Sequence, residues 1–259
     1  NNSNVTLKNI SNLSNISLVI EPGNSNIFLE DVNSVLVVKG NKSFNNVTFL
    51  LNGTLRNNTT NEPGLVSFNK VEFKSDGIVE GNNIYGELIL AGGKKYTFEK
   101  LKQQTITTSL TSLNAGCLGL TSIMSNSLAE KTTFKALSGV VINVSGATIN
   151  DVAAEGGATF TSSNSTISGV STGWTMGSVT EGNMFWIGGS GNWNDPNHWS
   201  LQSGGSSEGC LPKPTDNVFF DANSGFTSDA KTITIDNLAY CKNITFSGSA
   251  VAPVLTQNG

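Results

Sequence analysis

Apolar residues in this chain come in very short bursts that alternate with polar ones, and this period of two limits the chain to β structure. The bursts begin with Val5-Thr6-Leu7 and continue through Ile16-Ser17-Leu18-Val19-Ile20, Ile27-Phe28-Leu29, Val35-Leu36-Val37-Val38 and Val47-Thr48-Phe49. Successive side chains of a strand point to opposite faces, so each burst predicts a half-buried strand. Further bursts lie at Val71-Glu72-Phe73, Tyr96-Thr97-Phe98, Thr105-Ile106-Thr107 and Ala158-Thr159-Phe160. Between them stand clusters such as Glu21-Pro22-Gly23-Asn24 and Leu51-Asn52-Gly53, whose residue types adopt turn and left-handed conformations at low steric cost. No amphipathic helix of normal length is predicted anywhere.

Composition points the same way. Only 13% of residues are charged, glycine numbers 28, and asparagine is commoner still. Strands this short, with asparagine-rich corners and no long loops, predict a coil whose turns of roughly 20 to 25 residues stack as parallel strands. Asparagines at the corners are then expected to form amide ladders from turn to turn. The alternative all-β reading is a pair of antiparallel sandwiches.

The net charge of −4 and the single arginine, Arg56, weigh against a nucleic-acid partner, which needs clustered Lys and Arg. No apolar run approaches the roughly 20 residues that span a bilayer, so no membrane insertion by this segment is expected. The N-terminus carries no charged region followed by an apolar one, and both ends read as cuts through strand-rich sequence. A segment of a longer protein is expected.

Composition changes near Gly177. Three of the four tryptophans, Trp186, Trp193 and Trp199, follow within a short span, and then the proline-bearing loop Leu211-Pro212-Lys213-Pro214. Two units are expected, residues 1–176 and 177–259. The three cysteines, Cys117, Cys210 and Cys241, form no C-x-x-C pair, which argues against zinc. Cys210 and Cys241 flank one strand-rich stretch and read either as a disulfide or as two buried thiols, with Cys117 in the core.

The stretch from Phe185-Trp186-Ile187-Gly188-Gly189 through Asn192-Trp193-Asn194-Asp195-Pro196-Asn197-His198-Trp199 resembles the opening of a repeat unit in very large surface proteins of gliding and related Bacteroidota. Cys210-Leu211-Pro212, Asp216-Asn217-Val218-Phe219-Phe220-Asp221 and Cys241-Lys242-Asn243-Ile244-Thr245-Phe246 continue the pattern in order. Gly156-Gly157-Ala158-Thr159-Phe160 and Thr172-Gly173-Trp174 look like the ending of the preceding unit, whereas residues 1–150 share only the general character. The resemblance implies a right-handed parallel β-helix (β-solenoid), repeated along a giant adhesin-like protein. It also implies export by the type IX secretion system to the outer cell surface, with surface glycans or other surface components as partners.

Several residues carry two readings each. Trp186, Trp193 and Trp199 make either a platform for stacking on sugar rings or a cap and core at a coil end. Asp195, Asp216 and Asp221, with Asp229 and Asp236 nearby, offer hard oxygen ligands for calcium or cap their own turns. Calcium is the one cofactor these residues suggest. His198, the sole histidine, reads as a hydrogen-bonded turn residue and not as part of a catalytic set. Glu30, Asp31, Glu72, Asp76 and Glu80 read as solvent-facing strand positions, the alternative being carboxylates lining one groove. The expected function is therefore a non-enzymatic structural or adhesive repeat module. A carbohydrate-active β-helix lyase or hydrolase, or a carbohydrate-binding module, stands as the alternative.

Overall fold

The computed structural model of the protein describes residues 4–7, 24–38, 40–57, 65–113 and 120–257. Cys117 and the burst at 16–20 lie outside them. Two compact units divide the chain between Gly177 and Ser178. No α-helix occurs among the described residues.

In the first unit the chain passes back and forth between two sheets. β1 (Asn4–Leu7) and β2 (Asn26–Leu29) belong to the larger sheet, β3 (Ser34–Val38) to the smaller, β4 (Lys42–Phe49) to the larger and β5 (Gly53–Asn57) to the smaller. The alternation continues through β6 (Val66–Phe73), β7 (Gly77–Glu80), β8 (Asn83–Ala91), β9 (Lys95–Phe98), β10 (Gln103–Leu113) and β11 (Thr121–Ser125). β12 (Thr132–Ala136) and β13 (Val141–Ser145) return to the larger sheet, and β14 (Ala147–Asn150) to the smaller. β15 (Val152–Glu155), β16 (Phe160–Ser163) and β18 (Trp174–Met176) are again in the larger sheet, with β17 (Thr166–Ser168) in the smaller.

Every strand pairing in this unit is parallel. Parallel neighbours cannot be joined by a tight hairpin, because the chain must travel back to the start of the next strand. Here the return journey runs through the other sheet. The antiparallel sandwich alternative does not hold. Spacing between paired residues is wider than the expected range: Val47 pairs with Val71 (24 residues on), Leu110 with Ile142 (32) and Phe160 with Trp174 (14). Strands hold their register while the corners absorb the differences in length.

Four strands carry a corner inside them. β4, β6 and β8 each pair in two runs, skipping Asn45, Asn69 and Gly86. β10 has two residues there, Thr107 and Thr108, and beyond it β12 and β13 take up the two halves as separate strands. Gly86 suits this bend because a Cβ at its position would lie 2.3 Å from the Asn69 carbonyl oxygen.

Alternation supplies the interior. Ile27, Val47, Val71, Leu88, Leu110, Ile142 and Phe160 stand in register on seven strands of the larger sheet, all buried. Phe49 and Phe73 stack at 4.5 Å, and Phe44, Phe68 and Tyr85 stack at 5.4 and 6.0 Å. Fully burying one such side chain is worth about 1.5–3 kcal/mol. Gly53 makes room for the first pair, since a Cβ there would meet Phe49 Cδ1 at 2.3 Å.

Asparagines line the outside. Asn26 Nδ2 donates to Asn4 Oδ1 at 3.1 Å, Asn46 Nδ2 to Asn26 Oδ1 at 2.9 Å and Asn69 Nδ2 to Asn46 Oδ1 at 2.9 Å. This is the ladder expected of stacked corners. Inside, Gln104 Oε1 accepts from the Tyr85 hydroxyl at 2.9 Å and from Asn83 Nδ2 at 3.1 Å, while Gln104 Nε2 donates to Gly81 O at 2.9 Å. Burial drives the Tyr85 phenol far above its ordinary pKa, against the opposing hydrogen bond with Asn83.

The second unit comprises β19 (Asn183–Trp186), β20 (Gly191–Asn192), a 3-10 turn (Pro196–His198), β21 (Trp199–Ser200), β22 (Asn217–Phe220), β23 (Thr232–Ile235), β24 (Asn243–Phe246) and β25 (Val254–Gln257). One sheet runs β21-β19-β22-β24 and the other β20-β23-β25. All pairings are parallel except β19 with β21. A second amide ladder crosses this unit, from Asn217 Nδ2 to Asn183 Oδ1 at 3.4 Å and from Asn243 Nδ2 to Asn217 Oδ1 at 2.8 Å.

Neither reading of Cys210 and Cys241 holds, the disulfide between them or the pair of free thiols. Cys210 is disulfide-bonded, but Cys241 carries a free thiol. Both pack against the same apolar cluster. Sharing a cluster is not enough, because a disulfide needs Cβ atoms about 3.8 Å apart. Burial pushes the Cys241 thiol above its ordinary pKa.

Candidate functional site

The tryptophan-rich opening of the second unit folds inward. Met184 and Trp186 alternate with Phe185 along β19, and this period of two sends Trp186 to the interior beside Val218 and Phe220 of β22. Gly188 and Gly189, at φ 87° and 75°, turn the chain back so that β21 pairs antiparallel with β19. Asp195 caps the following 3-10 turn by accepting from Asn197 N at 2.9 Å, with Pro196 as its first residue.

These turns bring the three indoles together. Trp186 and Trp199 meet edge to face at 5.0 Å and 87°, and Trp193 meets Trp199 at 5.0 Å and 66°. Trp186 Nε1 donates to Gly189 O at 2.6 Å and Trp199 Nε1 to Trp193 O at 2.7 Å. All three rings are buried. Of the two readings of Trp186, Trp193 and Trp199, a sugar-stacking platform or a core, burial fits the core, since a ring can stack on a pyranose only with a face open to solvent.

His198 lies flat on Trp186, with centroids 4.7 Å apart and planes 9° apart. Its Nδ1 sits 2.7 Å from Ile187 O and its Nε2 4.0 Å from Asp195 Oδ2. The imidazole thus closes the turn between Gly191 and Trp199.

The aspartates are separated by their duties. Asp216, buried, accepts from Lys213 N at 2.9 Å and Gly182 N at 3.1 Å, and pairs with Lys213 Nζ at 3.3 Å. Asp221 accepts from Asn223 N at 2.9 Å, and Asp236 from both nitrogens of Asn194 at 3.1 Å. Burial of Asp236 opposes its charge, but the Asn194 hydrogen bonds prevail and hold its carboxyl below the ordinary range. Asp195, Asp216 and Asp221 are not brought together as one ligand set. Among the described residues no group of three or more His, Cys, Asp or Glu is placed to hold a metal ion.

Comparison with protein-family models, with curated proteins and with solved structures returns no match.

In the first unit the acidic residues are likewise dispersed. Glu72, on the larger sheet, lies between Lys70 Nζ at 3.8 Å and Lys74 Nζ at 3.9 Å. Glu80, on the smaller sheet, pairs with Arg56. Asp76 accepts from Lys95 N at 2.9 Å. Glu72, Asp76 and Glu80 are thus not gathered in one groove.

Ile244, Phe246 and Leu255 keep the alternation of interior residues and are solvent-exposed, and among the described strands β24 pairs only with β22 and β25 only with β23.

Proposed function

We propose that the protein is a structural module of a bacterial cell-surface protein, a stiff spacer or adhesin stalk, whose first unit is a right-handed parallel β-helix. One observation carries this reading: the interior column from Ile27 to Phe160 passes in register through seven parallel strands while the chain returns through a second sheet between them. A chain that leaves one sheet, crosses another and lands beside its own last strand is coiling. Parallel crossovers of this kind are right-handed in about 98% of cases. Each turn is tied to the next by main-chain bonds, apolar columns and amide ladders, so bending the stack breaks all three at once.

The resemblance of residues 185–246 to repeat openings of Bacteroidota surface proteins supports the setting: outer cell surface, export by the type IX system, and glycans or other surface components as partners. The function is geometric and no cofactor takes part. Incubating the protein with pectin-like, alginate-like and other acidic glycans tests it. Neither products nor saturable binding by this module is expected. Turnover of any glycan overturns the reading in favour of a β-helix lyase or hydrolase, and saturable binding without turnover favours a carbohydrate-binding module.

A further inference from the structure

We propose that Asn52 is a deamidation site gated by the stacking of the coil, closed while the turn carrying Ser75 and Asp76 lies against it and open when the two turns part. Asn52-Gly53 is the one Asn–Gly step among the described residues. Packing of the interior puts it there. A Cβ at residue 53 would lie 2.3 Å from Phe49 Cδ1, and one at residue 77 would lie 2.7 Å from Phe73 Cδ1. Each phenylalanine of this stacked pair therefore requires glycine four positions on, and the corner residue before that glycine is Asn52 in one turn and Asp76 in the next.

Glycine has no side chain to shield its backbone nitrogen, which makes an Asn–Gly step chemically vulnerable. After losing its proton, Gly53 N attacks Asn52 Cγ. The Cγ–Nδ2 bond breaks, Nδ2 leaves as ammonia, and a five-membered succinimide remains. Water opens this ring at one carbonyl or the other, leaving aspartate or isoaspartate at position 52.

The following turn holds both reacting groups. Gly53 N donates to Asp76 O at 3.1 Å, and Gly53 itself is buried at the start of β5. Asn52 Oδ1 accepts from Ser75 Oγ at 2.6 Å, which ties the side-chain amide to the same neighbour. On the other side, Asn52 O accepts from Asn33 N at 2.6 Å. Ring closure needs Gly53 N to turn from Asp76 O toward Asn52 Cγ. Register between Ser34 and Gly77 keeps Gly53 from making that turn. Local opening of the contact frees both groups together. Isoaspartate adds one carbon to the main chain and moves Gly53 out of register, so the product is a lasting mark of the opening. This covalent change goes beyond the spacer reading and does not depend on it; glycan turnover tests that reading separately.

In the test, folded protein is held at mildly alkaline pH beside a synthetic peptide of residues 48–56, and modification of Asn52 is followed by mass spectrometry. Deamidation is expected to be slower in the folded protein by roughly 100-fold, because the three hydrogen bonds break together in the opening. Exchange of the Gly53 amide hydrogen requires the same opening, and its slowing is expected to match. Ser75→Ala removes one tie at a partly exposed corner and is expected to quicken both deamidation and exchange by roughly 2- to 12-fold, with an unchanged circular dichroism spectrum. Deamidation of the folded protein at the rate of the peptide would overturn the proposal, as would a rate that Ser75→Ala leaves unmoved.

Discussion

At Phe73 the interior of the first unit can be probed with one substitution. The ring stacks on Phe49 at 4.5 Å, meets Tyr96 edge-on at 5.9 Å and is fully buried. Phe73→Ala leaves a cavity between fixed neighbours and is expected to destabilise the protein by about 3–5 kcal/mol, read from the denaturant midpoint. The tyrosines give a second test. Burial raises the phenol pKa of Tyr85, Tyr96 and Tyr240, the chain's three tyrosines. An unfolded phenol loses its proton near pH 10 while the buried one keeps it. The stabilising term is therefore complete below about pH 10 and is lost as pH climbs above it. A phenolate absorbance titration is expected to show Tyr85 and Tyr96 ionising only with the loss of the circular dichroism signal. Ionisation of all three near pH 10 in folded protein would contradict this.

Strands and corners hold together by different means. Asn46 is a middle rung, donating to Asn26 and accepting from Asn69. Asn46→Ala cuts both bonds at a partly solvated site, with an expected loss of about 0.5–1.5 kcal/mol. Gly86→Ala attacks the corner within β8 instead. The new methyl would meet the Asn69 carbonyl oxygen, so backbone must move, and the expected loss is about 1–3 kcal/mol. Thermal unfolding of the two variants checks both values, and a silent Gly86→Ala would mean that the two turns are farther apart than described. Which bursts become strands was legible from alternation at Val35 to Val38 and Val71 to Phe73. The corner inside β8 was not, because a close approach between residues 69 and 86 leaves no local mark beyond one glycine.

The whole chain comprises two units with the same logic, parallel strands joined through a second sheet and an outer asparagine ladder. Its covalent state is directly measurable. Cys210 is bonded and Cys241 is not, so peptide mapping is expected to find Cys241 alkylated in native, unreduced protein and Cys210 alkylated only after reduction. Because burial raises the pKa of Cys241, its alkylation should lag that of a free cysteine at neutral pH and recover as pH rises. By itself the sequence determined the all-β character, the strand positions and the asparagine corners, since alternation and turn propensity act between residues a few positions apart. Only the tertiary structure decided between the parallel coil and the sandwiches, turned Trp186, Trp193 and Trp199 inward, and left the Cys241 thiol free. Those outcomes depend on neighbours some 14 to 30 or more residues away, such as Trp174 beside Phe160 and Ile142 beside Leu110. Local pattern says which face of a strand is apolar, and contact across the fold decides what covers that face.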